Sequence, residues 1–315
     1  MNTTDSVAGD TFDLATLLAT VDDATKGELA SKPEVVDWGG SLNVESLPIT
    51  ARRWIQVPDI VTVVADLKSS TKLGTGKHAA STASIYQAAT GGAVAVFDKF
   101  DADFIQIQGD GAFALFWGEK RYERAMCAAI TIQTFSNAMV GRLEKKWPDA
   151  PKTGFKVGVA SSRILVKRIG TPRNPAQQEP VWAGKSVNYA AKAAQGADRH
   201  QIVVTGSVWD LIESNDYLTV SCGCPVGTPF PLWEDVVIDR LPDDDPDSQG
   251  RMLPATWCDT HGVAFCDAVL KGKRVRPDIA DARNNVLKSQ MKEAIRRTAR
   301  IAREDQLAHR RGLAS

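Results

Sequence analysis

Two aspartates, an asparagine, a lysine and a late group of cysteines are the side chains whose types and settings could do chemistry in this sequence. Asp66 lies near the end of Val61–Thr71, VTVVADLKSST, where an apolar, β-branched run gives way to a polar turn. Asp110 stands at the tip of Phe104–Gly118, FIQIQGDGAFALFWG, where Gly-Asp-Gly separates two apolar runs in the manner of a hairpin. Taken singly, each aspartate is an ordinary turn residue. Taken together, a carboxylate at a strand end and another at a neighbouring hairpin tip make a site for hard divalent cations, which prefer oxygen ligands. A third stretch, Val181–Lys192, VWAGKSVNYAAK, places Asn188 and Lys192 at i and i+4, on one face of a helix.

These groups need a scaffold, and the hydrophobic pattern supplies one. Val61–Ala65 reads as a buried central strand. Helices are expected over Lys77–Asp101, with Gly91-Gly92 as a weak point, and over Tyr122–Lys146. Strands follow at Gly154–Ala160 and Ile164–Ile169, then an exposed loop Gly170–Glu179, a helix Ser186–Gln195, a strand His200–Thr205 and a helix Gly206–Ser214. This order fits an α+β fold, a mixed sheet covered by helices. Trp233–Leu241 and Leu253–Trp257 are expected to pair as a late hairpin across a mobile acidic linker, Pro242–Gly250.

The ends read as additions. Residues 1–50 form an N-terminal helix and arm, with Leu14, Leu17, Leu18 and Val21 at helical spacing, able to pack on the domain or across a partner subunit. Residues 51–270 read as the main domain, with the late hairpin as its extension, and residues 271–315 as a basic C-terminal helix whose cations read as a solvated face. Val286, Leu287, Met291, Ile295 and Ile301 suggest that one side of that helix packs.

The three motifs, in this order, resemble the class III nucleotidyl cyclase catalytic domain over about residues 55–240. Ala65-Asp66-Leu67-Lys68-Ser69-Ser70-Thr71 is similar to the family's Ala-Asp-Ile-x-Gly-Phe-Thr. Gln108-Gly109-Asp110 through Gly118 is similar to its Ile-Gly-Asp and following strand. Gly184-Lys185-Ser186-Val187-Asn188-Tyr189-Ala190-Ala191-Lys192 is similar to its Gly-x-x-Val-Asn-x-Ala-x-Arg. The resemblance implies a ferredoxin-like core and two Mg2+ or Mn2+ ions held by Asp66 and Asp110, with the Leu67 carbonyl as a further ligand. It also implies a triphosphate turn at Lys68, Ser69, Ser70 and Thr71. Asn188 would then orient the ribose, and Lys192 would offset charge developing at the α-phosphoryl.

The resemblance further implies a head-to-tail homodimer in which the aspartates come from one subunit and the Asn188–Lys192 pair and base-reading residues from the other. Two departures stand out. Lys192 replaces the family's Arg, a point charge in place of a planar fork. Gln106 stands where adenylate cyclases carry Lys and guanylate cyclases Glu, and Val181, followed by Trp182, stands where the former carry Asp. A carboxamide offers donor and acceptor together, which suits a pyrimidine edge, and the Val181-Trp182 wall suits a small base. This combination resembles the pyrimidine cyclases of bacterial Pycsar anti-phage systems. It implies conversion of UTP to 3′,5′-cyclic UMP, an alarm signal for a separate effector protein. A cytidylate or adenylate cyclase, a catalytically silent cyclase-homology module and a polymerase palm remain open as alternatives.

Composition sets the frame. The 315 residues are 43% hydrophobic and 24% charged, with 38 basic and 38 acidic side chains. A formal charge of zero gives no whole-protein case for nucleic acid. No apolar run is long enough to span a bilayer, and Met1–Asp13 lacks a secretory pattern, so the expected location is cytoplasmic. The five cysteines are then expected as free thiols. Cys222, Cys224, Cys258 and Cys266, with His261 between the last two, could hold a structural zinc. Their C-x-C and C-x7-C spacing departs from the usual knuckles, and they read as unpaired core cysteines. Gly184-Lys185-Ser186 is not a P-loop, because Glu179 stands where that motif needs Gly.

Overall fold

A computed structural model describes residues 13–49, 51–171, 173–225, 227–279, 288, 291–303 and 306. The chain divides into two compact units, Met1–Gln56 with Leu165–Val181, and Val57–Ile164 with Trp182–Ser315. The strands are β1 (Glu34–Asp37), β2 (Arg53–Leu67), β3 (Phe104–Gln108), β4 (Gly111–Phe116), β5 (Phe155–Gly170), β6 (Gln178–Gly184), β7 (Gln201–Val204), β8 (Glu234–Val237) and β9 (Gln249–Leu253). The helices are α1 (Leu14–Leu29), α2 (Ser70–Leu73), α3 (Ala79–Lys99), α4 (Arg121–Lys146), α5 (Lys185–Gly196), α6 (Gly206–Ile212), α7 (Asp216–Thr219) and α8 (Gly262–Leu270).

In the first unit, α1 starts where the Asp13 carboxylate accepts the Ala15 and Thr16 amides at 3.0 and 3.3 Å, an N-cap that satisfies donors the helix leaves open. Leu14, Leu17, Leu18 and Val21 are exposed. Strand β1 runs parallel to the start of β2, pairing Glu34–Asp37 with Arg53–Gln56. Arg52 ties the two ends together by donating to the Glu28 carboxylate and the Ser31 hydroxyl at 3.1 and 2.8 Å.

The second unit is organised by the two-residue alternation of β2. Val61, Val63, Ala65 and Leu67 face one way, into a core shared with Ile85, Ala89 and Phe97 of α3 and Met126, Ala129 and Ile132 of α4. Val64 faces the other way, against a cluster of Ala160, Val203 and the α5 residues Tyr189, Ala190 and Ala193. The strands run in the order β3-β4-β2-β5-β7-β9-β8. Pairing is antiparallel for β2–β4, β3–β4, β7–β9 and β8–β9 and parallel for β5–β7. This is a mixed sheet with helices on both faces, the expected α+β class. Among the described residues no helix is long and apolar enough to cross a membrane.

Several elements differ from the sequence expectation for physical reasons. Helix α3 runs unbroken through Gly91-Gly92 because the Phe135 ring of α4 fills the space there: a Cβ on Gly92 would lie 2.1 Å from its Cζ. The two strands expected at 154–160 and 164–169 are one, β5. Its polar middle bonds sideways and does not turn, with Ser162 Oγ accepting the Ser186 amide at 2.9 Å. The late hairpin pairs Val237 with Gln249 and Glu234 with Met252, so its second strand lies earlier than Leu253–Trp257. The acidic stretch between these strands is docked rather than free. Asp245 accepts from Lys185 and Tyr189 at 2.8 and 2.6 Å, and Asp247 from the Ser207 amide at 2.9 Å. Burial would raise the Asp245 carboxyl, but the bonds from Lys185 and Tyr189 hold it below its usual range.

The basic terminal segment also departs from expectation. Helix 291–303 leaves Met291, Ile295 and Ile301 exposed and docks by charge. Arg300 pairs with Asp210, Arg297 with Glu213 at 3.2 Å, Arg296 with Asp235 at 2.9 Å, and Glu293 with Arg251. Three of its cations therefore pair with acidic groups of the domain, while Lys292 and Arg303 are exposed. Val286 and Leu287 lie outside the described residues.

Candidate active site

Asp66 is the penultimate residue of β2, and the sheet register carries it to the β3–β4 tip. Ala65 stands opposite Ala112, which sets Asp66 beside Gly111 and next to Asp110. The turn between β3 and β4 is Gly109-Asp110, with Gly109 at φ +61°, a left-handed conformation that glycine adopts without strain. Gly111 is required for a different reason. A Cβ there would fall 2.5 Å from the Ala65 carbonyl oxygen and 3.3 Å from Asp66 Cα, so only glycine lets the tip press onto the end of β2. Local turn chemistry and close backbone approach thus bring the two aspartates to adjacent strand ends.

Asp66 is not unpartnered. Lys156 Nζ, from the start of β5, lies 2.6 Å from its Oδ2, so the carboxylate already holds a cation. Sequence reasoning missed Lys156, although the signal was present. In FKVGVA its neighbours Phe155, Val157 and Val159 belong to the core under α3 and α4, and alternation sends Lys156 to the opposite face, the one that carries Val64 and Asp66. A cavity of about 130 Å³ on that face is lined by Val64, Asp66, Gln108, Gly111 and, from α5, Ala191 and Gln195.

The other expected site residues are placed unequally. Leu67 ends β2 with its side chain in the core. Lys68 is held by the scaffold: its amide donates to Gly154 at 3.0 Å, its carbonyl accepts from Thr153 Oγ1 at 2.7 Å, and its ammonium pairs with Asp198. Ser69 takes a left-handed conformation, φ +59°, just before Ser70–Leu73 form the single turn α2, so Ser70 and Thr71 open a helix whose first amides lack intrahelical acceptors.

On β3, Gln106 is half-buried opposite Phe113. Its same-face neighbour Phe104 lies 5.0 Å from Trp182 between ring centroids, and Trp182 lies 6.0 Å from Trp117. Gln106 and Trp182 therefore share one aromatic wall. Val181 is the last residue of the first unit and is exposed. On α5, Asn188 donates to the Gly184 carbonyl of its own helix at 3.3 Å, and Lys192 Nζ lies 5.8 Å from the Tyr189 ring. Among the described residues neither is bonded to Asp66 or Asp110.

The cysteines are grouped differently from the expectation. His261, not Cys266, joins Cys222, Cys224 and Cys258. The Cys127 thiol points at the Cys266 carbonyl oxygen from 3.9 Å, because α8 turns Cys266 toward α4.

No protein-family model matches the chain. Among solved structures it is similar to the adenylyl cyclase CyaB from P. aeruginosa, with a TM-score of 0.51 at 12% identity over 64% of this chain and 96% of that one. It is also similar to a class III adenylyl cyclase-like ATP-binding protein from Pseudomonas aeruginosa, again at a TM-score of 0.51, with 15% identity over 88% of this chain and 53% of that one. The fold is that of the class III nucleotidyl cyclases. Two curated relatives narrow the class. A uridylate cyclase of Micromonospora echinofusca is 57% identical over 302 residues, 96% of this chain and 98% of the relative. Another, of Propioniciclava tarda, is 49% identical over 264 residues, 83% of this chain and 85% of the relative. The chain belongs to the uridylate cyclase family, and it is an enzyme, a nucleotidyl cyclase.

Proposed function

We propose that this enzyme converts UTP to 3′,5′-cyclic UMP and pyrophosphate, with the Asp66–Asp110 pair as its catalytic centre. The observation that carries the reading is the convergence of those aspartates at neighbouring strand ends, with Gly111 pressed onto Ala65 and an ammonium drawn to Asp66. That the relatives are uridylate cyclases supports the choice of uracil, as does the wall that joins Gln106 to Trp182 through Phe104.

The residues present fit a hard dication. Both aspartates offer oxygen from turn and strand-end positions, and Asp66 already attracts a cation. Asp66 and Asp110, with the Leu67 carbonyl, would hold Mg2+ or Mn2+, two per site. Bound there, such ions lower the pKa of the ribose 3′-hydroxyl and neutralise the pyrophosphate leaving group. The protein's own groups do the rest. The amides and hydroxyls of Ser69, Ser70 and Thr71 meet the triphosphate. Lys68 supports that turn through Gly154 and Asp198. Lys156, which pairs with Asp66 at 2.6 Å, would add a positive charge beside the phosphates. Asn188 orients the ribose so that its 3′-oxygen faces the α-phosphorus, and Lys192 offsets the charge that develops on the α-phosphoryl oxygens. Gln106 bonds the base edge, while Val181 and Trp182 limit its size.

Asn188 and Lys192 engage only their own helix among the described residues. This supports a head-to-tail homodimer in which they complete the site of the partner subunit. The product would act as a second messenger on a separate effector in anti-phage defence. The test is mass spectrometry of the products formed from an equimolar mixture of UTP, CTP, ATP and GTP with manganese. Cyclic UMP is expected as the main peak. Cyclic AMP or cyclic CMP in that place would overturn the base assignment and leave the catalytic pair standing.

A further inference from the structure

The chain between α7 and β8 is closed at its base by a short backbone ladder, the Ser221 amide donating to Phe230 and the Leu232 amide to Thr219, both at 2.9 Å, but among the described residues no such ladder joins it to the chain leading into α8. Residues 221–225, 227–230 and 254–261 form neither helix nor strand. They meet at four side chains, Cys222, Cys224, Cys258 and His261, whose ligand atoms all lie within 4.8 Å of one another. Cys224 Sγ is 3.3 Å from His261 Nδ1, and Cys258 Sγ is 3.9 Å from the same nitrogen. With metal–sulfur and metal–nitrogen bonds of about 2.3 and 2.0–2.1 Å, a tetrahedron has edges of roughly 3.5–3.8 Å. The two cysteine–histidine separations are close to those edges, and the remaining ones fall within 4.8 Å. The three thiols are free rather than cross-linked.

The surroundings are arranged as a ligand shell would need. The amides of His261 and Thr260 donate to the Cys258 sulfur, which orients it within the cluster. The His261 ring stacks on Phe265 at 5.8 Å, and Phe265 packs edge-on against Tyr217 of α7 at 5.4 Å, which fixes the imidazole plane. The buried Arg276 lies with its guanidinium carbon 4.3 Å from the centre of the Phe265 ring.

We propose that Cys222, Cys224, Cys258 and His261 form a structural zinc site that clips the loop after α7 to the start of α8. Three thiolates and one imidazole in a tetrahedron are a soft set that selects zinc over the hard ions suited to Asp66 and Asp110. All four positions are filled by protein, so no place is left for substrate, and the site is structural. The ligands lie in C-x-C and C-x2-H pairs on separate loops, so metal binding closes a long chain segment by joining two loops that no backbone ladder links among the described residues.

The test uses the full chain, expressed with zinc in the medium and desalted through EDTA. Elemental mass spectrometry should find about one zinc per chain. X-ray absorption at the zinc edge should find three sulfurs at about 2.3 Å and one nitrogen at about 2.0–2.1 Å. Cys224→Ser should lower the retained zinc about tenfold or more, while Cys266→Ser, outside the cluster, should keep it. Should Cys224→Ser fail to fold, the wild-type zinc content and absorption spectrum decide alone. Less than about a tenth of a zinc per chain, or a first shell of oxygen, would overturn the proposal. So would zinc retained undiminished by Cys224→Ser.

Discussion

The Asp66–Asp110 pair and the Cys222–Cys224–Cys258–His261 cluster both gather groups that bind metals, yet they are built on opposite terms. The aspartates stand at adjacent strand ends of the sheet, offer oxygen, and leave most of a cation's coordination positions open to other ligands. One of them meanwhile holds Lys156 at 2.6 Å. The cluster stands where the chain has neither helix nor strand, offers sulfur and imidazole, and fills four positions by itself. Hard ligands with open positions suit a cation that must also grip substrate oxygens. A closed soft set suits one that holds loops together. At the first place the fold positions the ligands, and at the second the ligands position the fold.

If that contrast holds, activity and stability separate. The largest expected effect is at the strand ends. Asp66→Ala or Asp110→Ala should cut turnover of UTP about a thousandfold or more, because lost charge stabilisation of ~4 kcal/mol corresponds to about three decades. The melting temperature should stay within about 4 °C of wild type, since both carboxylates lie on the surface side of the core. Near-wild-type turnover by either purified variant would remove the assignment.

A smaller effect is expected at the base. Gln106→Ala should lower kcat/KM for UTP about tenfold to a hundredfold, the equivalent of one buried polar contact at about 1–3 kcal/mol. An unchanged kcat/KM would show that Gln106 does not read the base.

The smallest readout tests whether the two halves of the site come from different subunits. Mixing Asp66→Ala with Asn188→Ala chains should restore about a quarter of wild-type activity, because half of randomly exchanged dimers are mixed and each carries one intact site of two. No recovery, with subunit exchange confirmed by size-exclusion chromatography of differently tagged chains, would place all the catalytic groups in one chain.

Most of the site's scaffold was legible because it is local. A β-branched run, a Gly-Asp-Gly tip and an i, i+4 pair each declare an element within a few residues, and the structure has β2, the β3–β4 hairpin and α5 there. What escaped notice depended on partners distant in sequence. Lys156 has no motif; it matters because β5 lies beside β2 and alternation turns its side chain toward Asp66. The helix over 291–303 looked half-apolar by spacing. It docks through Arg296, Arg297 and Arg300 because acidic groups from α6 and β8 meet it.

The sequence by itself determined the strand that carries Asp66 near its end, the turn that presents Asp110 and the helix that carries Asn188 and Lys192, since turn stereochemistry and hydrophobic period act over short stretches. Tertiary structure alone decided that Gly111 seats the hairpin tip on Ala65, that Lys156 faces Asp66, and that His261 displaces Cys266 from the cysteine cluster. Those outcomes follow from which strands pair and which way each helix turns its faces, and both are set by packing across the whole sheet.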